Sequence, residues 1–211
     1  MGSYRQYGLD NPDTERFIFF QEISAEDIAI AKDYGYEAIG SEQNLGIATA
    51  YKLMVEHATG DLFLFLENDW RLLEEPTLEF EVSAGFLRDN ILDVVRLRHT
   101  KDHGWPLWSR QFAGEELKHL PHLFDSMYWR DHPEYDFPEY IHEMGKMRYT
   151  RARYANWTNN PTMFRTEWWL ENIGPRVGDG DVEKDLQAWW QEQDFLVGQR
   201  QGLFTHDRLD R

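Results

Sequence analysis

The sequence predicts an α/β domain in which a mostly parallel central sheet is flanked by helices. Three observations support this prediction. Segments typical of strands alternate with segments typical of helices over about the first 100 residues. The apolar run Leu62–Leu66 is short, unbroken and bounded by polar residues, as expected of a strand buried on both faces of a parallel sheet. No linker or low-complexity segment divides residues 1–211, so we expect a single domain.

The first predicted elements form a strand–helix–strand unit. Residues 16–23 are rich in Phe and Ile and predict a strand. Ser24 is the expected N-cap of the following helix, which has acidic residues in its first turn and runs to about Gly35. Residues 36–41 predict a second, short strand.

The next elements repeat this alternation. A turn at 44–47 leads into a predicted helix, 48–59, which Gly60 closes. The apolar strand follows at once. A helix over roughly 77–89 and a strand over 91–98 complete the repeat, and this order is typical of a parallel sheet.

The pattern breaks down from about residue 99 to residue 153. This stretch is rich in Trp, Tyr, His and Pro and predicts loops and short helices that cover the sheet. Regular structure then returns, with a strand at 163–165, helices at 167–172 and 182–193, and an extended segment at 195–204.

Composition excludes several classes of function. The chain has 211 residues and no cysteine, which rules out disulfides, thiolate catalysis and zinc–thiolate sites. No apolar run approaches the roughly 20 residues of a membrane span, and no signal peptide is visible. The formal net charge of −16 disfavours nucleic-acid binding. A nucleotide diphosphate remains compatible with this charge if a metal ion neutralises it.

The end of the apolar strand carries the strongest functional signal. Leu66 is followed by Glu67, Asn68 and Asp69. In open α/β sheets the ligand crevice lies at the carboxyl ends of the strands, and carboxylate oxygens suit Mg²⁺ or Mn²⁺ shared with a phosphate. The alternative is that these residues cap the next element or face water, and the triplet alone does not decide between them.

The motifs around this strand resemble the nucleotide-sugar half of GT-A glycosyltransferases, nearest to family two. The turn Asn44-Leu-Gly-Ile47 precedes a helix that ends in Ala58-Thr-Gly-Asp61, and the next strand runs into the acidic triplet. In the resembled family the triplet is the D-x-D motif that holds the metal. Here Glu67 replaces the usual first aspartate. The resemblance covers about residues 15–100 well and the remainder loosely, and a virus-encoded glycosyltransferase domain of similar size is a possible closer match.

This resemblance implies a GT-A-like, Rossmann-like fold with an aromatic-rich loop region over the acceptor side. About residues 1–100 would bind the nucleotide sugar and about 101–211 the acceptor. The cofactor implied is Mn²⁺ or Mg²⁺, held by Asp69, Glu67 and a histidine late in the chain. His206 is the candidate for this histidine, and the alternative is that His206 is an ordinary surface residue. The residues expected at the donor are Asn44, Gly46, Glu67, Asn68 and Asp69.

An inverting transfer also needs a general base for the acceptor hydroxyl. The resembled enzymes place an acidic pair on a late helix, and residues 178–185 supply the candidates here. Val182, Leu186, Trp189 and Trp190 have the spacing of a buried stripe. Glu183 stands at the edge of that stripe and is the expected base, with Asp181 second. A role in stabilising the helix N-terminus explains both residues equally well.

Other polar residues allow two interpretations each. Asn159 and Asn160 could contact sugar hydroxyls or form the turn before Pro161. Arg96 and Arg98, two apart on a strand, could bind phosphate or form ion pairs within the protein. The aromatic loops suit stacking on sugar rings, although most of these side chains are expected to pack in the core.

The sequence therefore predicts a metal-dependent hexosyltransferase. It would move a hexose or deoxyhexose from a nucleotide diphosphate sugar, expected to be UDP-linked, to a carbohydrate acceptor with inversion. The alternatives are a non-catalytic carbohydrate-binding module and a metal-dependent nucleotidyltransferase or phosphohydrolase. We expect a cytoplasmic protein, in the host cytoplasm if viral, and one domain of a larger polypeptide is compatible with the sequence. One departure is that only 15 residues precede the first predicted strand, where the family has a further strand and helix that line the nucleoside.

Overall fold

The computed structural model describes residues 2–9 and 14–207. Its architecture is α/β, as predicted, with helices packed on a central sheet. In the described residues the helices are α1 (Gly2–Gln6), α2 (Ala25–Asp33), α3 (Gly46–His57), α4 (Thr77–Arg88), α5 (Pro133–Asp136), α6 (Thr166–Asn172) and α7 (Val182–Trp190). None of these helices is long and apolar enough to cross a membrane.

The strands of the described residues fall into two sheets. They are β1 (Phe17–Gln21), β2 (Glu37–Ser41), β3 (Leu62–Phe65), β4 (Trp70–Leu72), β5 (Val94–Arg98), β6 (Gly104–Trp105), β7 (His142–Met144), β8 (Met147–Arg151), β9 (Thr162–Arg165) and β10 (Leu196–Asp207). Strands β1 and β2 pair with each other in parallel. The other eight form one sheet in the order β3-β9-β5-β10-β8-β7, with β4 and β6 paired to the far end of β10.

The central sheet is mixed, so the prediction of a mostly parallel sheet is wrong. Strand β9 lies antiparallel between β3 and β5, and β10 is antiparallel to both β8 and β4. Only the pairings of β10 with β5 and β6 are parallel in this sheet. The strand–helix alternation of the first half suggested parallel pairing, but β9 enters from the second half of the chain and separates strands that the simple repeat would make neighbours.

Local signals placed most of the early elements correctly. Ser24 caps α2 as predicted, and a capping box with Asp27 satisfies the backbone at both positions. Helix α3 begins two residues earlier than predicted, at Gly46, whose φ of 75° is favourable only for glycine. The Asn44 side chain accepts a hydrogen bond from the Gly46 N–H at 2.9 Å and so fixes this turn.

Strand β3 lies between the two apolar clusters that form the core. Phe63 and Phe65 are buried in the first cluster, where Tyr51 stacks on Phe65 with ring centroids 3.9 Å apart. Leu62 and Leu64 are half-buried and pack against the second cluster. Both faces of β3 are thus covered, which explains its unbroken apolar sequence and fixes the position of the acidic residues that follow it.

The aromatic region contains more order than the sequence predicts. Residues 108–128 form a series of 3₁₀ turns. Glu116, only 4% exposed, holds these turns together, because its carboxylate accepts hydrogen bonds from Trp129 Nε1 and Arg130 Nε, both at 2.9 Å, and from the Gly114 N–H at 3.0 Å. Burial alone raises the pKa of Glu116, but the Arg130 and Trp129 hydrogen bonds outweigh it and lower the pKa to about 2.

Replacing Glu116 with glutamine is therefore expected to lower the free energy of unfolding by about 1.5–3 kcal/mol at neutral pH. Because the folded-state pKa lies below the ordinary 4.5, ionised Glu116 stabilises the fold above pH 4.5, and this contribution disappears as the pH falls toward about 2. Urea unfolding at pH 7 and at lower pH should show the deficit of the variant shrinking with acid. The exposed neighbour Glu115 provides the control, since Glu115→Gln should change the free energy by less than about 0.5 kcal/mol. Equal losses of unfolding free energy in the two variants at pH 7 would contradict the stabilising role assigned to Glu116.

Candidate functional site

The structure brings Asp69 and His206 into direct contact, although 137 residues separate them in sequence. Strand β4 begins one residue after Asp69 and pairs antiparallel with the end of β10, so that Trp70 lies opposite His206. The Asp207 N–H donates to the Asp69 carbonyl at 2.8 Å and closes the arrangement. As a result, His206 Nε2 and Asp69 Oδ2 are 2.7 Å apart at the carboxyl end of β3.

Each side chain of this pair keeps a buried polar atom without a hydrogen-bond partner among the described residues. These atoms are Asp69 Oδ1 and His206 Nδ1. The Trp70 ring covers the imidazole, with ring centroids 4.7 Å apart. A buried polar atom without a partner costs free energy, so its presence at this strand end is consistent with a ligand-binding role.

The pair fits a hard divalent cation in part. A carboxylate and an imidazole are suitable ligands for Mn²⁺, and neighbouring ligands of an octahedral ion, each at ~2.1 Å from it, lie ~3.0 Å apart. Within residues 2–9 and 14–207, no group of three or more His, Asp or Glu side chains is placed to hold a metal. Ions that bind a diphosphate commonly take only one or two protein ligands, with phosphate and water completing the shell. Asp69 and His206 are sufficient for a site of that kind.

Glu67 contributes a second carboxyl group to this end of the sheet. The pKa of Glu67 is raised to about 7, chiefly by burial and in part by the negative charges of Asp69 and Glu183. Charges from two distant segments, at Asp69 and Glu183, therefore act on Glu67. Asn68, between Glu67 and Asp69, is exposed.

Glu183 lies in the first turn of α7 and is held by the loop before β9. Its Oε1 accepts hydrogen bonds from Thr158 Oγ1 at 3.0 Å and from the Asn159 N–H at 2.6 Å. The predicted stripe on α7 is buried at Val182, Leu186 and Trp190. Glu183 stands beside that stripe as predicted, and it is exposed.

Asp181 acts as the N-cap of α7. Its carboxylate accepts from the N–H groups of Glu183 and Lys184 and forms a 2.8 Å ion pair with Lys184 Nζ. The hydrogen bond from Lys184 is the main reason that the pKa of Asp181 is lowered. These contacts are those of a helix-capping residue and favour Glu183 over Asp181 as the proton acceptor.

The turn that contains Asn44 and Gly46 is bound to the end of β1 by a residue that the sequence analysis missed. Gln21 Oε1 accepts from the Leu45 N–H at 2.8 Å, and Gln21 Nε2 donates to the Gly46 carbonyl at 3.1 Å. A polar residue that closes an apolar strand is the signal that could have identified it. Gln21 thus orders Asn44 and Gly46, the two predicted nucleotide-sugar contacts that lie outside the acidic triplet.

Arg96 and Arg98 serve the fold rather than the acidic site. Arg96 is buried, forms a 2.8 Å ion pair with Asp125 and donates to Asn156. Arg98 donates to three backbone carbonyls, and its guanidinium lies over the rings of Trp70 and Tyr128. Those three carbonyls belong to His103, Gly104 and Pro106. Neither arginine pairs with Glu67 or Asp69.

The two asparagines before Pro161 have different environments. Asn159 is buried, and its Oδ1 has no hydrogen-bond partner among the described residues. The Asn160 N–H donates to Thr158 Oγ1 at 3.2 Å, which is a turn contact. The structure therefore supports the turn interpretation for Asn160 and leaves Asn159 Oδ1 buried without a partner among the described residues.

Comparison with known proteins supports the fold. No protein-family model and no curated protein sequence matches the chain. Solved structures do match, among them S. aureus TarS 1–349, with a TM-score of 0.53 and 15% identity over 94% of this chain and 53% of that one. The same TarS segment in complex with UDP gives a TM-score of 0.51 with the same identity and coverage. The chain spans about half the length of these structures, and it has a glycosyltransferase-like fold.

Proposed function

We propose that this chain is a metal-dependent glycosyltransferase that moves a hexose or deoxyhexose from a UDP-linked donor to a carbohydrate acceptor with inversion. The observation that carries the proposal is the 2.7 Å contact of Asp69 with His206 at the end of β3, within electrostatic reach of Glu67. This arrangement occurs in a fold that resembles a protein crystallised with UDP. Neither observation alone would suffice, because carboxylate–imidazole pairs and this fold both occur in proteins with other activities.

The donor would bind along the carboxyl ends of β1 and β3. Asn44 and Gly46, ordered by Gln21, are the proposed contacts on the nucleoside side. Asp69 and His206 would hold Mn²⁺ or Mg²⁺, with Glu67 as a ligand or as support through water. When bound, the ion supplies positive charge that stabilises the departing diphosphate.

Glu183 is the proposed general base. Thr158 and Asn159 engage Oε1, and none of the described residues donates to Oε2. This leaves one carboxylate oxygen in a fixed orientation to accept the proton of an acceptor hydroxyl. The charge of Glu183 contributes to the raised pKa of Glu67, which supports a base near the proposed donor site.

Calorimetric titration with nucleoside diphosphates tests the proposal directly. UDP is expected to bind in the presence of Mn²⁺ and to lose at least about tenfold in affinity when the ion is chelated, because the diphosphate would then face uncompensated carboxylates. ADP and GDP serve as controls for recognition of the uracil nucleobase.

Two results would reject the assignment. Indifference to every nucleotide would favour the carbohydrate-binding module, which predicts sugar binding that a chelator leaves unchanged. Metal-dependent cleavage of a nucleoside diphosphate or triphosphate that has no hexose attached to its phosphate would instead favour the phosphohydrolase. In each case the fold would stand and the transferase would not.

A further inference from the structure

A second concave site lies beside the acidic one and has opposite electrostatic character. Its volume is about 430 Å³. We call it the basic aromatic pocket, and its lining residues are Lys101, His103, Trp105, Arg110, Tyr128 and Trp129. No carboxylate lines this pocket, although the chain as a whole carries a formal charge of −16.

The pocket is connected to the acidic site through the backbone. Strand β6, which includes Trp105, runs parallel to the end of β10, and Gly104 lies opposite His206. The approach is so close that a Cβ on Gly104 would be 2.1 Å from the His206 carbonyl oxygen, and the φ of Gly104 is 68°. Glycine is therefore required here, and the wall of the pocket is fixed relative to His206.

Ring contacts continue the same connection through side chains. Trp70 packs on His206, and the Arg98 guanidinium lies 5.3 Å from the Trp70 ring and 5.6 Å from that of Tyr128. Tyr128 in turn meets His103 edge to face at 5.7 Å. A ligand in the pocket would therefore lie on the same rigid support as the proposed metal ligands.

The two cations of the pocket are available to a ligand. The guanidinium carbon of Arg110 lies 5.4 Å from the centroid of the Trp129 ring, and a guanidinium placed over a ring can still donate hydrogen bonds through its N–H groups. None of the described carboxylates pairs with Arg110. Lys101 pairs with Asp131, but both side chains are more than 60% exposed, and such pairs contribute little free energy and exchange readily.

Trp105 gives the pocket an apolar surface. Trp105 is 55% exposed, which is unusual for so large an aromatic residue and leaves much of its surface open to solvent. The C–H face of a pyranose ring can cover such a surface while its hydroxyl groups remain free. Cations beside an open indole therefore suit a sugar that bears a negative charge.

We propose that the basic aromatic pocket binds the acceptor, and that this acceptor is an anionic carbohydrate carrying a phosphate or a carboxylate. The anionic group interacts with Arg110 and Lys101, and a sugar ring packs on Trp105. The assignment to the acceptor rests on the proposed transferase function, whereas the binding of anionic sugars to the pocket does not.

Binding of small sugars, measured by ligand-observed NMR at low ionic strength, tests the pocket. The probes are glucose 6-phosphate, glucuronic acid and neutral glucose, so that phosphate and carboxylate are compared on similar rings. At least one anionic probe is expected to bind about tenfold or more tightly than glucose, and Arg110→Gln and Lys101→Gln should each weaken it by about tenfold. Arg153→Gln is the control, because it removes the same charge from an ion pair with Asp194 outside the pocket.

The outcomes separate this proposal from the transferase itself. Equal binding of glucose and both anionic probes, or equal losses in Arg153→Gln and Arg110→Gln, would overturn the anionic specificity. Displacement of the bound probe by UDP with Mn²⁺, together with weakened UDP binding in Arg110→Gln, would assign the pocket to the donor and overturn its role at the acceptor. Retained UDP binding without any sugar binding would reject the pocket alone, whereas sugar binding without UDP binding would reject the transferase alone.

Discussion

Replacing Asp69 with asparagine is expected to lower the affinity for UDP in the presence of Mn²⁺ by at least about tenfold, to the level that chelation produces. Asparagine keeps the size of the side chain but removes the charge that would hold the ion. It also leaves His206 without its carboxylate partner, which lies 2.7 Å away. Calorimetric titration with and without the ion measures the effect.

Asp61 provides a matched control for this experiment. It precedes β3 at the end of the strand opposite to Asp69, where it forms an exposed ion pair with Arg88. Asp61→Asn should leave UDP binding unchanged, because the substituted carboxylate lies at the wrong end of the strand. Melting temperatures of both variants establish that each is folded. Metal-dependent UDP binding of normal strength in Asp69→Asn would remove the basis of the proposed metal site.

His206→Gln tests the same site from the other segment. If both side chains hold one ion, the two single variants and the double variant should lose similar amounts of affinity, since each removes the same interaction. Additive losses would instead indicate that His206 and Asp69 act independently.

The early elements could be predicted because their signals are local. The cap at Ser24, the glycine turn at Gly46 and the apolar run of β3 each depend on a few neighbouring residues. Strand order depends on contacts between distant segments, and nothing in Thr162–Arg165 itself indicates that β9 inserts between β3 and β5. The mixed sheet therefore could not be derived from the pattern of the first half.

A local signal was missed in the aromatic region. Gly145 and Lys146 both have positive φ, as a two-residue hairpin turn requires, and they join β7 to β8. A glycine between short segments could have predicted this hairpin. The many aromatic residues around it obscured the alternation that marks a strand.

The candidate site was predictable only in part, for the same reason. Asp69 stands directly after a strand whose burial the sequence reveals, and His206 was placed by the order of motifs in the resembled family. The roles of Gln21 and Thr158 arise from hydrogen bonds across the fold. The polar end of an apolar strand could have drawn attention to Gln21, whereas Thr158 carries no pattern from which its contact with Glu183 could be inferred.

Replacing Glu183 with glutamine is expected to reduce transfer by about 100- to 10,000-fold while leaving UDP binding unchanged within about twofold. Glutamine can still accept the hydrogen bonds of Thr158 and Asn159 through its amide oxygen, so the loop before β9 should keep its position. It cannot accept a proton. The measurement is turnover under saturating donor, combined with calorimetric binding of UDP.

Variants of the same helix distinguish a base from a structural carboxylate. Asp185→Asn changes an exposed residue of the same first turn and should leave turnover near normal. Asp181→Asn should cost up to about 1 kcal/mol of stability as a weakened cap and ion pair, with turnover largely retained. Thr158→Val should reduce turnover by about tenfold, because Glu183 would lose one of the two donors that orient it. If Asp181→Asn abolishes transfer and Glu183→Gln does not, the base is Asp181, since its capping role alone accounts for stability but not for a selective loss of the chemical step.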